Sequence, residues 1–246
     1  MELKETFNLR AEQYEKSRPT YKGRIIETIL KYKNLTKDSL ILEIGCGTGK
    51  ATELFSHLPA KIHCIDIGEN LIKIAKEKFA KCTNIDFEVA QFENYSCSEG
   101  YDLIFSATAY HWIKQPDGNL NIKKLLNPGG LFALMHNIHI NKSNDFFAET
   151  AAIYKKHMPD QKPRHFKEPL IDTAYFKLLE KYEYFWTEEY DTESYLNLIS
   201  THSDHIALEA DKRNNLFKEL RELINKNYGG KVIKEYQTLL EIGKPL

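Results

Sequence analysis

The sequence predicts an α/β fold built around a doubly wound, largely parallel β-sheet. Short apolar segments such as residues 40–44 recur along the chain, and this pattern is typical of strands buried on both faces. Segments with apolar residues at helical spacing, such as residues 71–79, alternate with these strands. A glycine-rich turn at residues 45–49 joins the first strand to a helix-compatible segment, as expected where such a sheet binds a ligand.

Length and composition narrow the class of protein. The 246 residues suffice for a single large domain, residues 1–246. Lys plus Arg (34) balance Asp plus Glu (35), so the chain has no net positive charge that would attract nucleic acid. No apolar run approaches the roughly 20 residues of a membrane helix, and no signal peptide is evident. Four cysteines without a CxxC pair indicate reduced thiols. We therefore expect a cytoplasmic monomer or homodimer without nucleic-acid or membrane partners.

The remaining elements follow in order from periodicity and from turn residues. Residues 1–36 predict an N-terminal helical cap, and residues 138–180 predict a helical lid insertion before strand six, comprising a helix at 144–158, an aromatic and basic loop, and a second helix. Further strands are predicted at 61–66, 85–89, 101–106, 131–136, 182–187 and 232–242. Further helices are predicted at 25–30, 50–57, 71–79, 116–126, 191–201 and 210–226.

The turn after the first strand is the most informative motif. Alternating glycines leave the backbone N–H groups open to a ligand at a helix N-terminus. A dinucleotide fingerprint would need its third glycine at position 50, which is Lys50, whereas the third glycine is Gly49. With Glu43, this Glu-x-Gly-x-Gly-x-Gly form closely resembles motif I of class I S-adenosylmethionine (SAM) methyltransferases. A purely structural glycine turn is the competing interpretation.

The resemblance extends over the whole chain and carries expectations for fold and cofactor. It implies a Rossmann-like sheet of seven strands, with the last strand antiparallel between the fifth and sixth. It also implies that SAM is the cofactor. The motif residues that would contact or support SAM are Glu43, Gly45, Cys46, Gly47, Thr48 and Gly49.

Two later strand ends provide further candidate cofactor residues. Asp66 ends the second strand about 20 residues beyond the turn, where an acid can accept both ribose hydroxyls, although it could also cap the next helix. Ile67 follows it. After the third strand, Gln91 could accept a hydrogen bond from the adenine amino group, and Phe92 could stack on adenine or belong to the core.

The segment before the first strand also carries the resemblance. Residues 7–21 resemble the N-terminal lid of small-molecule SAM methyltransferases, in which a Tyr and an Arg reach the cofactor's carboxylate. Tyr14 and Arg18 are the candidates for that role. The alternative is a solvated leading helix with incidental charges.

Ser106, which closes the fourth strand, is a further candidate cofactor residue, and the acceptor side is expected after it. Residues 107–112 lack the Asn/Asp-Pro-Pro-aromatic motif of nucleobase methyltransferases and resemble small-molecule enzymes such as the trans-aconitate type. His111 could remove a proton from an acceptor hydroxyl or pair with an acceptor carboxylate, while Tyr110 and Trp112 wall the site. Alternatively, His111 only packs beside Trp112.

Other chemistries have little support in the sequence. The pairs His136/His139 and His202/His205 have usable spacing, but no cysteine or clear acidic third ligand accompanies them, so no metal site is predicted. Neither a nucleophile elbow nor a Walker motif occurs.

The predicted function is therefore methyl transfer from SAM to a small molecule, with a carboxylate or hydroxyl oxygen as the acceptor atom. Two rival classes stay open. A nucleotide-dependent oxidoreductase is disfavoured by Lys50, and a SAM-binding regulatory or scaffold protein without catalysis is compatible with the motif.

Overall fold

The computed structural model describes residues 8, 10–140, 145–159 and 170–246. These residues belong to two compact units. The first, here called the sheet unit, holds Thr20–Asn137, residues 170–184 and Thr238–Leu246. The second, here called the helical unit, holds residues 8, 10–19, 138–140, 145–159 and 185–237. The assignment of the whole chain to one domain stays a prediction.

Seven strands form one mixed sheet in the order β3-β2-β1-β4-β5-β7-β6. The pairs β1–β2, β1–β4, β2–β3 and β4–β5 are parallel, and the last strand is antiparallel, which confirms the predicted architecture. The strands are β1 Leu40–Ile44, β2 Lys61–Asp66, β3 Ile85–Val89, β4 Tyr101–Ala107, β5 Leu126–Ile140, β6 Phe176–Asp191 and β7 Lys231–Pro245.

Helices alternate with the parallel strands and then follow one another between β6 and β7. On α4, Leu71, Ile72 and Ala75 are buried on one face, as their spacing predicts. None of the described helices has the length and apolarity needed to cross a membrane. The helices are α1 Ala11–Ser17, α2 Ile25–Leu30, α3 Thr52–Phe55, α4 Glu69–Lys78, α5 Asp117–Leu125, α6 Asp145–His157, α7 Thr192–Ser200, α8 Ser203–Ile206 and α9 Ala210–Asn227.

The central parallel strands β1 and β4 are largely buried on both faces, whereas the edge strand β3 exposes Asp86 and Glu88. Ile41 and Phe105 point into one core cluster, in which the Phe105 ring stacks on Phe55 with centroids 4.1 Å apart. Leu42 and Ile44 belong to the cluster on the other face. This packing on both faces explains why β1 is a continuous apolar run, the pattern that predicted a strand buried on both sides.

The strand order places a topological switch point at β1. The chain moves from β1 outward through β2 to β3, and then returns to the other side of β1 for β4 and β5. In open α/β sheets, ligands bind beyond the carboxyl ends of the strands at such a point. The loops that follow β1, β2 and β4 therefore delimit the candidate site.

The sequence-based boundaries were wrong for the last three strands. β5 was expected at 131–136 but spans Leu126–Ile140, and β6 was expected from 182 but begins at Phe176. β7 was expected at 232–242 but spans Lys231–Pro245. Residues 176–180, assigned above to the insertion, are therefore strand, because this stretch joins an aromatic segment of high β propensity. The helix predicted at 144–158 is α6, whereas the aromatic and basic loop and the second helix fall largely outside the described residues.

Candidate functional site

The turn after β1 contains three glycines whose backbone lies in the left-handed region. Gly45, Gly47 and Gly49 have φ angles of 69°, 57° and 80°, which side chains rarely tolerate. A Cβ atom at Gly45 would lie 2.4 Å from Ala109 Cβ, and one at Gly49 would lie 2.5 Å from Phe79 Cε2. The Gly45 N–H donates to the Ile65 carbonyl at 2.8 Å and holds the turn against β2.

Asp66, at the end of β2, closes this turn from the other side. One carboxylate oxygen accepts the Gly47 N–H at 2.9 Å, and the other accepts the Gly68 N–H at 2.8 Å at the start of α4. Burial raises the pKa of Asp66, and the backbone donors at Gly68, Gly47 and Ile67 oppose that shift. Because a carboxylate offers about four acceptor positions, Asp66 can cap the helix and still accept ligand hydroxyls.

An apolar surface lies beside Asp66. Ile67 is 36 % exposed, and Val89, which pairs with Asp66 across β2 and β3, is 45 % exposed. Large apolar side chains at the rim of a polar turn suit a flat heterocycle. Gln91 is exposed, and its amide oxygen accepts from Asn94 at 3.4 Å.

Phe92 lies differently from the other predicted adenine residues. Its side chain is only 2 % exposed and belongs to the same core cluster as Ile44 and Ile65. This placement agrees with the core interpretation of Phe92 rather than with stacking on a ligand. The candidate contact surface for a heterocycle is therefore Ile67 and Val89, of which the sequence argument found only Ile67.

Buried polar side chains support the turn from below. The Thr52 hydroxyl donates to Glu43 at 2.5 Å, and the Cys64 thiol lies 3.7 Å from the same carboxyl oxygen. Burial raises the pKa of Glu43 to about 8, against the opposing effect of these two hydrogen bonds. Cys46 and Thr48 are also buried. Glu43 is thus placed to support the turn rather than to meet a ligand directly.

The loop after β4 is strained where it passes the glycine turn. Thr108 has a φ angle of 58°, an unfavourable conformation for a β-branched residue that costs about 1–3 kcal/mol. Its N–H donates to the Met135 carbonyl at 2.8 Å, and its hydroxyl and that of Tyr21 are 2.6 Å apart. Thr108 and its partner Tyr21 were not predicted, because nothing in a Thr between two alanines signals a left-handed backbone.

Two of the residues predicted near β4 are engaged inside the fold. Ser106 is buried and donates to the Ile44 carbonyl at 2.7 Å, which joins β4 to β1. The Tyr110 hydroxyl donates to Asn119 at 2.7 Å, and its ring meets Phe132 edge-on at 5.1 Å. Burial raises the pKa of Tyr110 well above its usual value. Tyr110 is thus directed towards α5, and its wall role stays a prediction.

His111 is exposed, and it lies with a second histidine that the sequence argument did not connect to it. Its ring centroid is 4.9 Å from that of Trp112 and 5.9 Å from that of His136. His111 thus has an indole on one side and a second imidazole as another ring neighbour, just after β4. Imidazoles can exchange protons near neutral pH, and an indole can exclude water.

Tyr14 and Arg18, the predicted carboxylate ligands, belong to the helical unit. Arg18 donates through Nε to the Thr201 hydroxyl at 2.9 Å and through Nη2 to the Thr201 carbonyl at 2.8 Å. Its guanidinium lies 5.4 Å from the centroid of the Tyr14 ring. These contacts fix Arg18 at the end of α7, and the role of both residues in cofactor binding stays a prediction.

His202 and His205 have an acidic companion in Asp204, and the prediction that they lack one was wrong. Candidate ligand atoms of His202, Asp204 and His205 all lie within 4.8 Å of one another. However, His205 Nδ1 is 2.8 Å from Asp204 and its Nε2 is 3.1 Å from the Tyr154 hydroxyl, so both ring nitrogens are engaged. The cluster is a hydrogen-bonded group, and we assign no metal to it.

Comparison with known proteins is consistent with this geometry. A family model described as a methyltransferase domain matches residues 41–130. Malonyl-[acyl-carrier protein] O-methyltransferase of Acetivibrio thermocellus is 30 % identical over 205 residues, covering 74 % of this chain and 71 % of the relative. The corresponding enzyme 2 of Ilyobacter polytropus is 39 % identical over 94 residues, covering 37 % and 36 %. The chain thus matches only about a third of the length of some curated relatives.

Solved structures share the fold at low identity. A protein assigned as a type II methyltransferase from Anaeromyxobacter dehalogenans superposes with a TM-score of 0.70 at 18 % identity, covering 92 % of this chain and 97 % of that one. Haemonchus contortus phosphoethanolamine N-methyltransferase 2, in complex with phosphomonomethylethanolamine and S-adenosylhomocysteine, gives a TM-score of 0.55 at 14 % identity, covering 100 % and 61 %. These likenesses establish the fold alone.

The buried Glu43 predicts a specific pH dependence of stability. Its folded pKa of about 8 exceeds the ordinary 4.5, so the folded state holds an extra proton between these values. The free energy of unfolding contributed by Glu43 should therefore fall as pH rises through this window, by about 1.4 kcal/mol per unit. Glu43→Gln should lack this slope. Urea unfolding at pH 5, 7 and 9 measures the difference, with the exposed Glu77→Gln as control, and parallel profiles for wild type and Glu43→Gln would contradict the assignment.

Proposed function

Because the chain belongs to the class I SAM-dependent methyltransferases, we propose that it transfers the methyl group of SAM to an oxygen of a small-molecule acceptor. The observation that carries this proposal is the hydrogen bond between Asp66 and the Gly47 N–H. It joins the glycine turn to the acid at the switch point of the sheet.

The described residues fit SAM at this place. The left-handed turn at Gly45–Gly49 leaves backbone next to the ligand, where a side chain would strain the loop. Asp66 would accept the ribose hydroxyls, and Ile67 and Val89 would contact the adenine face. Gln91 would accept from the adenine amino group. Glu43 and Thr52, held together beneath the turn, would keep its shape.

The chemistry required of the protein is mainly alignment and exclusion of water. When bound, SAM supplies an activated methyl group on a sulfonium, so an acceptor carboxylate needs no general base. His111 would then orient the carboxylate as a cation. For a hydroxyl acceptor, His111 would instead take up the hydroxyl proton. Trp112, whose ring lies 4.9 Å from that of His111, would shield the reacting atoms from water.

An oxygen acceptor is supported by the relatives, several of which are named O-methyltransferases of malonyl-[acyl-carrier protein]. The identity of the acceptor remains a proposal. We likewise propose a monomeric or dimeric state, no nucleic-acid partners, a cytoplasmic location and a likeness to the trans-aconitate type. A SAM-binding regulatory protein without turnover is the alternative. A screen of small carboxylates and phenols with radiolabelled SAM distinguishes the two, since only an enzyme moves label to an acceptor.

Asp66→Ala should weaken SAM binding about ten- to a hundredfold, because it removes a charged acceptor of two ribose hydroxyls worth roughly 1.5–3 kcal/mol. Isothermal titration calorimetry of the folded variant measures the change. Glu77→Ala, an exposed acid on α4, is the matched control and should bind as the wild type does. An unchanged dissociation constant for folded Asp66→Ala would remove Asp66 from the cofactor site.

Gly47→Val should abolish SAM binding, because a branched side chain would occupy the approach to the turn and strain a residue at φ 57°. Gly129→Val is the matched control. Gly129 is exposed and also left-handed, at φ 77°, and a Cβ atom added there would have no neighbouring atom within 4 Å. Both variants should lose stability, but only Gly47→Val should lose affinity in calorimetry. Equal affinities would mean that the glycine turn is only structural.

His111→Ala should leave SAM affinity within about threefold and lower turnover at least tenfold. If His111 acts as a base, wild-type turnover should rise with pH through its pKa. If it pairs as a cation with a carboxylate, turnover should fall over the same range. The exposed His57→Ala serves as control. Turnover of His111→Ala equal to that of the wild type would restrict His111 to packing.

A further inference from the structure

A lysine occupies an interior position of β7 in the helical unit. Val232, Lys234 and Tyr236 alternate along the strand and share its buried face, and Lys234 is only 3 % exposed. Lysine is almost never buried to this extent without a partner. A polar residue at a core position breaks the pattern of the strand, and such exceptions concentrate at functional sites.

Aromatic rings surround the amine of Lys234. Its Nζ atom lies 5.4 Å from the ring centroid of Phe147, 5.6 Å from that of Tyr195 and 5.7 Å from that of Tyr236. Tyr236 in addition stacks on Trp186 at 4.5 Å and 16°. The faces of the rings attract a cation, but they supply no oxygen acceptor for the three N–H bonds of an ammonium group.

Within the described ranges, neither a carboxylate nor any other hydrogen-bond acceptor pairs with Lys234 Nζ. Arg18, the charged group that acts on Lys234, is also positive and so does not supply the missing anion. Burial and the Arg18 guanidinium lower the pKa of Lys234 to about 7. Burial, Arg18 and Lys234 together also lower the pKa of His202, and Asp204 offsets this only weakly. The region therefore combines a positive field with an amine that lacks an anion.

We propose that the helical unit contains a binding site for a small organic carboxylate at Lys234, with the carboxylate on the amine and an apolar body against the surrounding rings. A metal cation does not fit this environment, because Arg18 and Lys234 would repel it. Inorganic phosphate would satisfy the charge but would leave the aromatic surface of Phe147, Tyr195 and Tyr236 uncontacted. The proposal stands on the helical unit alone and does not depend on methyl transfer.

Binding should carry a proton with it. An anion favours the ammonium form, so a Lys234 amine that is mostly neutral at pH 8 should take up about one proton per bound carboxylate. The neighbouring titratable groups do not mask this uptake. Burial keeps the pKa values of Tyr195 and Tyr236 well above their usual value, and the Asp204 carboxylate is hydrogen-bonded to His205. His202, whose pKa is lowered, can add to the uptake only in the same direction.

The test is calorimetric titration of the full-length wild-type protein with benzoate, butyrate and inorganic phosphate at pH 8, in two buffers of different ionisation enthalpy. We expect saturable binding of benzoate that is tighter than that of phosphate, with about one proton taken up. Affinity for benzoate should fall by up to about tenfold per pH unit above 7. This profile uses the wild-type protein only, so it does not depend on the folding of any variant.

Lys234→Met keeps the length and the apolar stem of the side chain and removes the amine. It should lose at least tenfold in benzoate affinity and the proton uptake, while Lys231→Met should retain both. Lys231 lies on the same strand but is exposed and paired with Glu189 at 2.7 Å. Circular dichroism and SAM titration check that both variants are folded. Absent benzoate binding, stronger binding of phosphate, binding without proton uptake, or equal binding by folded Lys234→Met would each overturn the proposal.

Discussion

The hydrogen bond from Gly47 to Asp66 is the constraint on which the candidate site depends. Parallel pairing of β1 with β2 brings the two strand ends side by side, so that Ile44 lies opposite Ile65. The turn after β1 and the acid after β2 therefore meet by register, and only a left-handed glycine lets the N–H point at the carboxylate. A ligand site organised before the ligand arrives loses less entropy on binding.

On each side of this turn lies an energetically unfavourable feature that the surrounding structure stabilises. Glu43 is a buried acid whose raised pKa favours the neutral form near neutral pH, and Thr52 and Cys64 supply its hydrogen-bond partners. On the opposite flank, Thr108 is held left-handed by its bonds to Met135 and Tyr21. Strain and buried polarity of this kind persist where surrounding structure over-determines them, and they tend to cluster at functional sites.

The sequence predicted what local chemistry determines. Apolar runs and alternating glycines identified β1, its turn and the candidate acid Asp66, because strand burial and a left-handed turn each demand particular residue types. The start of β6 was missed because tertiary pairing decided between helix and strand there. Thr108 could not be recognised, since its φ angle is imposed by contacts distant in sequence. Phe92 was ambiguous for the same reason, and the fold assigned its ring to the core.

Lys234 shows why a correct pattern can still conceal a site. Residues 231–238 of its strand alternate as predicted, although residues 238–243 are continuously buried, and the alternation alone would place an apolar side chain at position 234. The structure instead buries an amine among rings and near Arg18, an arrangement that favours a negatively charged ligand. The sheet unit presents the opposite preference, because Asp66 offers acceptor oxygens to a ligand rich in donors. The two sites would therefore select their ligands by charge: the Asp66 site would favour a cationic cofactor, and the Lys234 site would favour an anionic small molecule.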